Sequence, residues 1–218
     1  RYGFERIMTM WSFYAHIKYA KTDRLRRGTR LAKRRTPGLA LRTLNMDRFA
    51  ADVQAVREIY NEAWSDNWGH VPMTEGEFEQ LVDELEQIVD PNMVFFVEHD
   101  GRPVGFSVSL PDVNEALRHV PDGRLFPLGL PKLLLHAYYS IDTLRMPLMG
   151  IRPEYRGKGL DAMLILATMD AAPEHGYVGC ETSWILDTND RLLNMIETIG
   201  ATQDKEYALF DVPISNGA

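Results

Sequence analysis

The stretch GIRPEYRGKGLDAMLI, residues 150–165, joins an apolar strand-like run to a run of helical periodicity through a glycine-rich, basic turn. A helix start carries several unpaired backbone N–H groups and a partial positive charge. Glycines there let an anion approach the backbone closely. Arg156 and Lys158 add two positive charges, so the turn suits a phosphate or pyrophosphate. The Gly-Lys-Ser/Thr ending of a P-loop is absent, and so is the third glycine of the dinucleotide fingerprint. A Gly-x-Gly taken alone also fits a plain strand-to-helix turn, so its neighbours decide.

Upstream, TLRMPLMGI reads as a strand, and Pro147 removes one ladder donor from it. An edge, a bulge or a splay is expected there. Downstream, residues 159–175 read as a helix, YVGCETSWIL as a strand, NDRLLNMIETIG as a helix between Asn189 and Gly200, and DKEYALFDV as a last strand. Earlier in the chain come a short strand in TPGLALRTLN and a helix in MDRFAADVQAVREIYNEAW. A second helix, TEGEFEQLVDELEQIV, opens with Thr74 and Glu77 as a capping box. Asp100-Gly101 joins two strands as a tight hairpin. The order β-α-α-β-β-insert-β-α-β-α-β argues for a layered α/β sandwich.

Hydrophobic residues make up 45% of the 218 and charged residues 25%, the balance of a globular domain with an ordinary core. The lone Cys180 excludes an internal disulfide and a cysteine zinc cluster, and a reducing, cytoplasmic setting is expected. No His/Asp/Glu group has metal-ligand spacing, so no metal is expected. The most apolar window, LFPLGLPKLLLHAYYSI, is interrupted by two prolines, a lysine and a histidine, and is too short to cross a bilayer. Residues 18–35 hold nine Lys/Arg against one Asp, a local +8, which leaves −15 on the rest of a chain of net charge −7. Little aromatic interleaving accompanies that run, so a solvated connector is expected rather than a nucleic-acid or membrane contact.

With the turn and its flanks in view, residues 38–213 resemble the GCN5-related N-acetyltransferase (GNAT) superfamily. RPEYRGKGLD matches that family's cofactor motif at Arg156 and Gly159. DGRPVGFSVS is similar to its second and third strands, and NDRLLNMIETIGA to its Asn-led late helix. The resemblance implies a three-layer sandwich with a mixed, mostly antiparallel twisted sheet, splayed fourth and fifth strands, and helices on both faces. It implies acetyl-CoA or another acyl-CoA as cosubstrate. The backbone of Met149, Gly150 and Ile151 would pair with the pantetheine arm. Arg156, Gly157, Lys158, Gly159, Leu160 and Asp161 would hold the pyrophosphate, with Asn189 nearby. Pro147 would mark the splay.

Three departures stand out. Asp161 replaces the motif's final small residue. Ile196 stands where the family often has a thiolate-protonating tyrosine. The connection at 111–140 is about thirty residues instead of a short hairpin. For the general base, Glu181 on the strand flanking the splay is the first candidate, with Ser183 on the same strand face. Glu98, His136 and Asp142 are alternatives, and Tyr207 is a substitute acid. Cys180 reads as a buried small hydrophobe.

The implied activity is N-acyl transfer to an amine of a small molecule or peptide. The alternative is a non-catalytic acyl-CoA-binding or sensing module, a degenerate domain of a tandem protein. Residues 1–17, which weakly echo residues 199–211, are expected to be the tail of a preceding similar domain; the chain opening on Arg1 suggests a fragment. Residues 18–37 are the expected basic connector and 38–218 the domain. The apolar insert at 111–140 is expected to cover the cleft or to form a homodimer contact, since leaving its Leu, Phe and Tyr side chains in water would cost several kcal/mol at about 25 cal/mol per Å².

Overall fold

The computed structural model describes residues 3–65, 69–72, 74–86 and 88–212. In chain order its elements are β1 (Glu5–His16), α1 (Asp23–Arg35), β2 (Leu39–Thr43), α2 (Phe49–Trp64), α3 (Glu75–Glu86), β3 (Val94–His99) and β4 (Arg102–Pro111). Then follow α4 (Asn114–Leu117), α5 (Gly129–Tyr139), β5 (Thr143–Ile151), α6 (Leu160–Ala171), β6 (Gly179–Leu186), α7 (Asp190–Thr198) and β7 (Thr202–Asp211).

The strands form one open seven-stranded sheet in the order β2-β3-β4-β5-β6-β1-β7. Every neighbouring pair is antiparallel except β5 and β6, which run parallel. Helices cover both faces. Phe95 packs with Leu160, Met163 and Leu164 of α6, whereas Phe96, its neighbour, packs with Ile59 of α2. Adjacent aromatics thus serve opposite layers, as strand alternation requires. This is also why β3 and β4 read as nearly unbroken apolar runs. The β3–β4 turn holds Asp100 at φ 50° and Gly101 at φ 81°, two left-handed residues whose twist suits a tight hairpin. The Thr74–Glu77 capping box forms as expected: Glu77 Oε2 accepts from the Thr74 amide at 2.9 Å.

Two ion clusters lock α2 to the sheet. Arg42 donates to both oxygens of the buried Asp52 at 2.7 Å and to Glu98 at 2.6 Å. Arg152, itself 3% exposed, donates to Glu62, to Glu58 at 3.1 Å and to the Pro103 carbonyl at 3.1 Å. Glu98 is therefore a structural partner of Arg42.

Two expected boundaries move. Residues 5–16, read as the tail of an earlier domain, lie here as β1 in the interior of the sheet between β6 and β7. The echo between the two ends of the chain corresponds to β1 and β7 lying side by side, Tyr14 opposite Thr202. The expected connector at 18–37 contains α1, which buries Leu25 and Ala32 and packs along α6. Apolar and small residues at 25, 28, 29 and 32 give it an inward stripe that the charge count concealed.

The insert is also placed differently from one of its two expectations. It leaves the end of β4 and enters the start of β5, where β5 and β6 are still paired. The splay opens toward the other end of β5, so the insert does not line it. Phe126, Leu134, Tyr138 and Tyr139 are 77%, 62%, 80% and 75% exposed. Within the insert, His119 and His136 stack at 3.5 Å between ring centroids, and His136 Nδ1 lies 2.8 Å from Ser140 Oγ. His136 is thereby a packing residue; the Asp142 carboxylate accepts from Thr143 Oγ1 at 3.3 Å and is not among the cleft residues. Among the described residues no helix is long and apolar enough to cross a membrane, and no three His, Cys, Asp or Glu side chains group as metal ligands.

Candidate active site

The parallel ladder of β5 and β6 pairs Thr143 with Gly179 and ends at Met146 opposite Thr182. Pro147 follows at once, without the N–H that would extend it. Past this vertex β5 remains bonded, among the described residues, to β4 alone, Met149 opposite Ser107 and Ile151 opposite Gly105. The other edge of residues 147–151 borders a cleft of about 600 Å³. Met149 and Ile151 line it from β5, Ser183 from β6, and Asn189, Leu192 and Ile196 from the start of α7 and beyond. Gly150 faces the other way: a Cβ there would stand 2.7 Å from the Phe106 ring and 3.3 Å from Ile59 and Trp64. Its role is to let α2 approach the strand, and only its backbone is available to a ligand.

The strand then turns through residues 153–155 into α6. Gly157 and Gly159 hold φ of 79° and 87°, and Gly159 is the N-cap. This is the left-handed geometry that requires glycine. Arg156 lines the cleft and donates to the Ala63 carbonyl at 2.5 Å, pinning the turn to the end of α2. Lys158 Nζ lies 4.6 Å over the Tyr155 ring. Leu160 is fully buried core.

Asp161 is buried beside the turn, and its carboxylate is accounted for. Oδ2 accepts from Arg191 Nη2 at 2.5 Å, and Oδ1 lies 2.9 Å from the Ala162 amide. Arg191 comes from the first turn of α7, and a Cβ on Gly157 would stand 3.7 Å from its Nη1. Asn189 accepts from the Leu192 amide at 3.3 Å as cap of that helix. The carboxylate that departs from the motif is thus paired, and it holds a guanidinium beside the turn.

Glu181, the expected base, lies away from the cleft. It sits opposite Arg145 on the paired side of the vertex, 3.7 Å from Arg145 Nη2 and 3.1 Å from Lys205 Nζ, and it does not line the cleft. Ser183 is past the vertex and does line it, accepting from Arg145 Nη2 at 3.1 Å. Tyr207 packs on Trp184, ring centroids 5.6 Å apart, and is not among the cleft residues. Ile196 occupies the cleft wall as an apolar group, 1% exposed. Burial, with the Glu181 charge adding to it, pushes the Cys180 thiol up to about 12, so it is no nucleophile.

An aromatic wall completes the cleft. Tyr60 and Trp64 from α2 and His70 from the segment after it face the cleft. Their rings cluster, with Tyr60 4.4 Å from Trp64 and 5.5 Å from His70. Burial holds the Tyr60 phenol above its ordinary range. His70 brings an imidazole to the cleft wall. One signal for it was readable: a histidine after glycine in the loop that follows the first helix of the resemblance.

A family model described as the acetyltransferase (GNAT) family matches residues 53–201, and the chain belongs to that family. The chain is 41% identical over 181 residues to Protein YghO of Escherichia coli K12, covering 81% of this chain and 46% of that protein. It is 39% identical over 188 residues to the bacterial ceramide synthase of Caulobacter vibrioides, covering 84% and 49%. It spans about half the length of these curated relatives. Among solved structures, a GCN5-related N-acetyltransferase from Sphaerobacter thermophilus superposes with a TM-score of 0.59 at 15% identity, over 95% of this chain and 52% of that one. An aminoglycoside acetyltransferase from an uncultured soil metagenomic sample gives 0.51 at 14% identity, over 82% and 97%. At such identities the structures show the fold alone.

Proposed function

We propose that the cleft binds an acyl-CoA and that the chain transfers its acyl group to an amine. One observation carries this reading: a strand edge free of any partner strand, residues 147–151, leads straight into a left-handed glycine turn at a helix start. The free edge suits the amide-bearing pantetheine arm, and the turn suits the pyrophosphate.

In this reading the amine nitrogen attacks the thioester carbonyl. The N–C bond forms, the C–S bond breaks, and CoA leaves as a thiolate. His70 takes the amine's proton, and the Tyr60 phenol, kept protonated by burial, gives a proton to the thiolate. Tyr60 thereby fills the role left open by Ile196. The acceptor we propose is a long-chain amino alcohol. Support comes from the relative named a ceramide synthase, ceramide being the N-acyl derivative of such an amine. The donor is acetyl-CoA or a longer acyl-CoA, and association of two copies through the insert stays part of the proposal.

A second reading, a non-catalytic acyl-CoA sensor, draws on Ile196 at the cleft wall. Thiol release from acetyl-CoA and palmitoyl-CoA, followed with and without sphinganine, tests both. Amine-dependent release supports the enzyme. CoA binding without release under any amine supports the sensor.

A further inference from the structure

The basic run at 18–35 takes no part in the chemistry of the cleft, yet the fold seats it against the turn that the cofactor needs. α1 runs antiparallel to α6. Near its start, Arg26 reaches Asp170 at the end of α6, with contacts of 2.5 and 3.2 Å. Near its end, α1 meets the beginning of α6. A Cβ on Gly159 would stand 3.3 Å from both the Ala32 Cβ and the Gly28 carbonyl oxygen, and one on Gly28 would stand 3.3 Å from the Ala162 Cβ. Small residues on both helices permit this approach. The last turn of α1, with Lys33, Arg34 and Arg35, therefore lies beside the glycine turn.

Helical phase orients that last turn. Arg24 donates to Thr198 of α7 at 2.9 Å, so its flank of α1 faces α7. Arg35 follows eleven residues later, about three turns, and so shares that flank. Arg191, on the first turn of α7, is held beside the glycine turn by Asp161. Among the described residues Arg27, Arg30, Lys33, Arg34 and Arg35 have no ion pair, although the rest of the chain carries a net −15. Cations left unpaired in an acidic protein, three of them together on the last turn of a helix, call for an anion.

We propose that the last turn of α1, with Lys158 and Arg191, forms a cationic rim that binds the 3′-phosphorylated ADP end of CoA. This rests on the acyl-CoA reading of the cleft. A cofactor lying along residues 147–151 with its pyrophosphate at 157–161 leaves the cleft past the start of α6. Its ribose phosphate then emerges where α1 ends. The competing role is local: Lys33, Arg34 and Arg35 also offset the negative end of the α1 dipole. That role is indifferent to which form of CoA is bound.

The test is calorimetry on the 218-residue chain with CoA and with dephospho-CoA, which lacks the 3′-phosphate. Wild type is compared with a Lys33→Gln, Arg34→Gln, Arg35→Gln variant and with an Arg27→Gln, Arg30→Gln variant, each verified by circular dichroism. The expected result is that wild type prefers CoA. The triple variant should lose about tenfold in CoA affinity at low salt and little in dephospho-CoA affinity, as for charge-assisted phosphate contacts. The double variant should lose much less. Equal losses for the two ligands, or no loss, would overturn the rim while leaving the cleft reading intact. Failure of folded wild type to bind either ligand would overturn the cleft reading itself. Loss of binding to phosphatidylglycerol vesicles in the triple variant, with CoA affinity unchanged, would also overturn the rim and assign the helix to a lipid surface.

Discussion

The carboxylate of Asp161 and the guanidinium of Arg191 meet at 2.5 Å beside the glycine turn, the acid 10% and the base 50% exposed. One helix start is thereby tied to another, α6 to α7, across the mouth of the cleft. The pair also converts a local negative charge into a fixed positive one facing the turn. Removing only the arginine leaves a mostly buried carboxylate without its charged partner, next to the proposed phosphate site. Arg191→Ala should weaken CoA binding about tenfold, the penalty of an unpaired buried group being of order 1–3 kcal/mol. Asp161→Asn should cost less than about threefold, and the double variant should recover part of the loss. A double-mutant cycle by calorimetry measures this; additive losses would show that the two side chains act separately.

Gly157 and Gly159 share a left-handed backbone but differ in surroundings. Alanine at either position is strained by about 1–2 kcal/mol. At Gly159 the added methyl also meets Ala32 and the Gly28 carbonyl, both at 3.3 Å, while at Gly157 only Arg191 is near, at 3.7 Å. Gly159→Ala should therefore lower the melting temperature more than Gly157→Ala, by several degrees in a domain of this size, where 1 kcal/mol corresponds to roughly 2–4 °C. Thermal unfolding followed by circular dichroism compares them. Equal shifts would mean that α1 yields to the methyl.

These two cases show what was readable in the sequence. Glycines at 157 and 159 and a proline at 147 constrain the backbone where they stand, so the turn and the splay could be placed without tertiary information. Strand partners are not local. Nothing in residues 5–16 says that they slot between β6 and β7, and the charge of α1 hides its small-residue stripe. Glu181 lies off the cleft for a related reason. Strand alternation gave its face, shared with Ser183, but not the position of the vertex between them. Tyr60 and His70 reach the cleft from α2 and the segment after it, far away in sequence, and no local pattern encodes that approach.

Burial of Cys180 gives a prediction with a definite sign. Its thiol is pushed up to about 12, so it stays protonated at every pH from neutrality to near that value in the folded chain. An unfolded cysteine ionises near 8.5. Modification by a thiol reagent at pH 8.5 should be slow in native protein and should speed up by at least about 100-fold in denaturant. Rapid labelling of the folded chain would show that the thiol is reachable.

The exposed apolar side of the insert is the expected homodimer contact. Phe126, Leu134, Tyr138 and Tyr139 present large side chains to solvent. Replacing Leu134, Tyr138 and Tyr139 with Gln should turn a dimer into a monomer in sedimentation velocity, with the melting profile of the domain kept. A monomeric wild-type chain at tens of micromolar would refute the contact.

The proposed acid and base can be separated by their readouts. Tyr60→Phe keeps the ring packed on Trp64 and removes only the hydroxyl, whereas His70→Gln removes the imidazole; both lie on the wall of the cleft. Each substitution should lower kcat by about 100-fold, at the low end for lost general catalysis, with CoA affinity nearly unchanged. The pH profiles should differ. Burial raises the Tyr60 phenol above its ordinary value near 10, so it is a competent acid at all pH below that raised value. Wild-type activity should fall on the alkaline side only as pH climbs through it, and this limb should vanish in Tyr60→Phe. An alkaline limb that persists in Tyr60→Phe would assign the leaving-group proton to another donor, and an unchanged kcat in His70→Gln would remove the imidazole from the proton path.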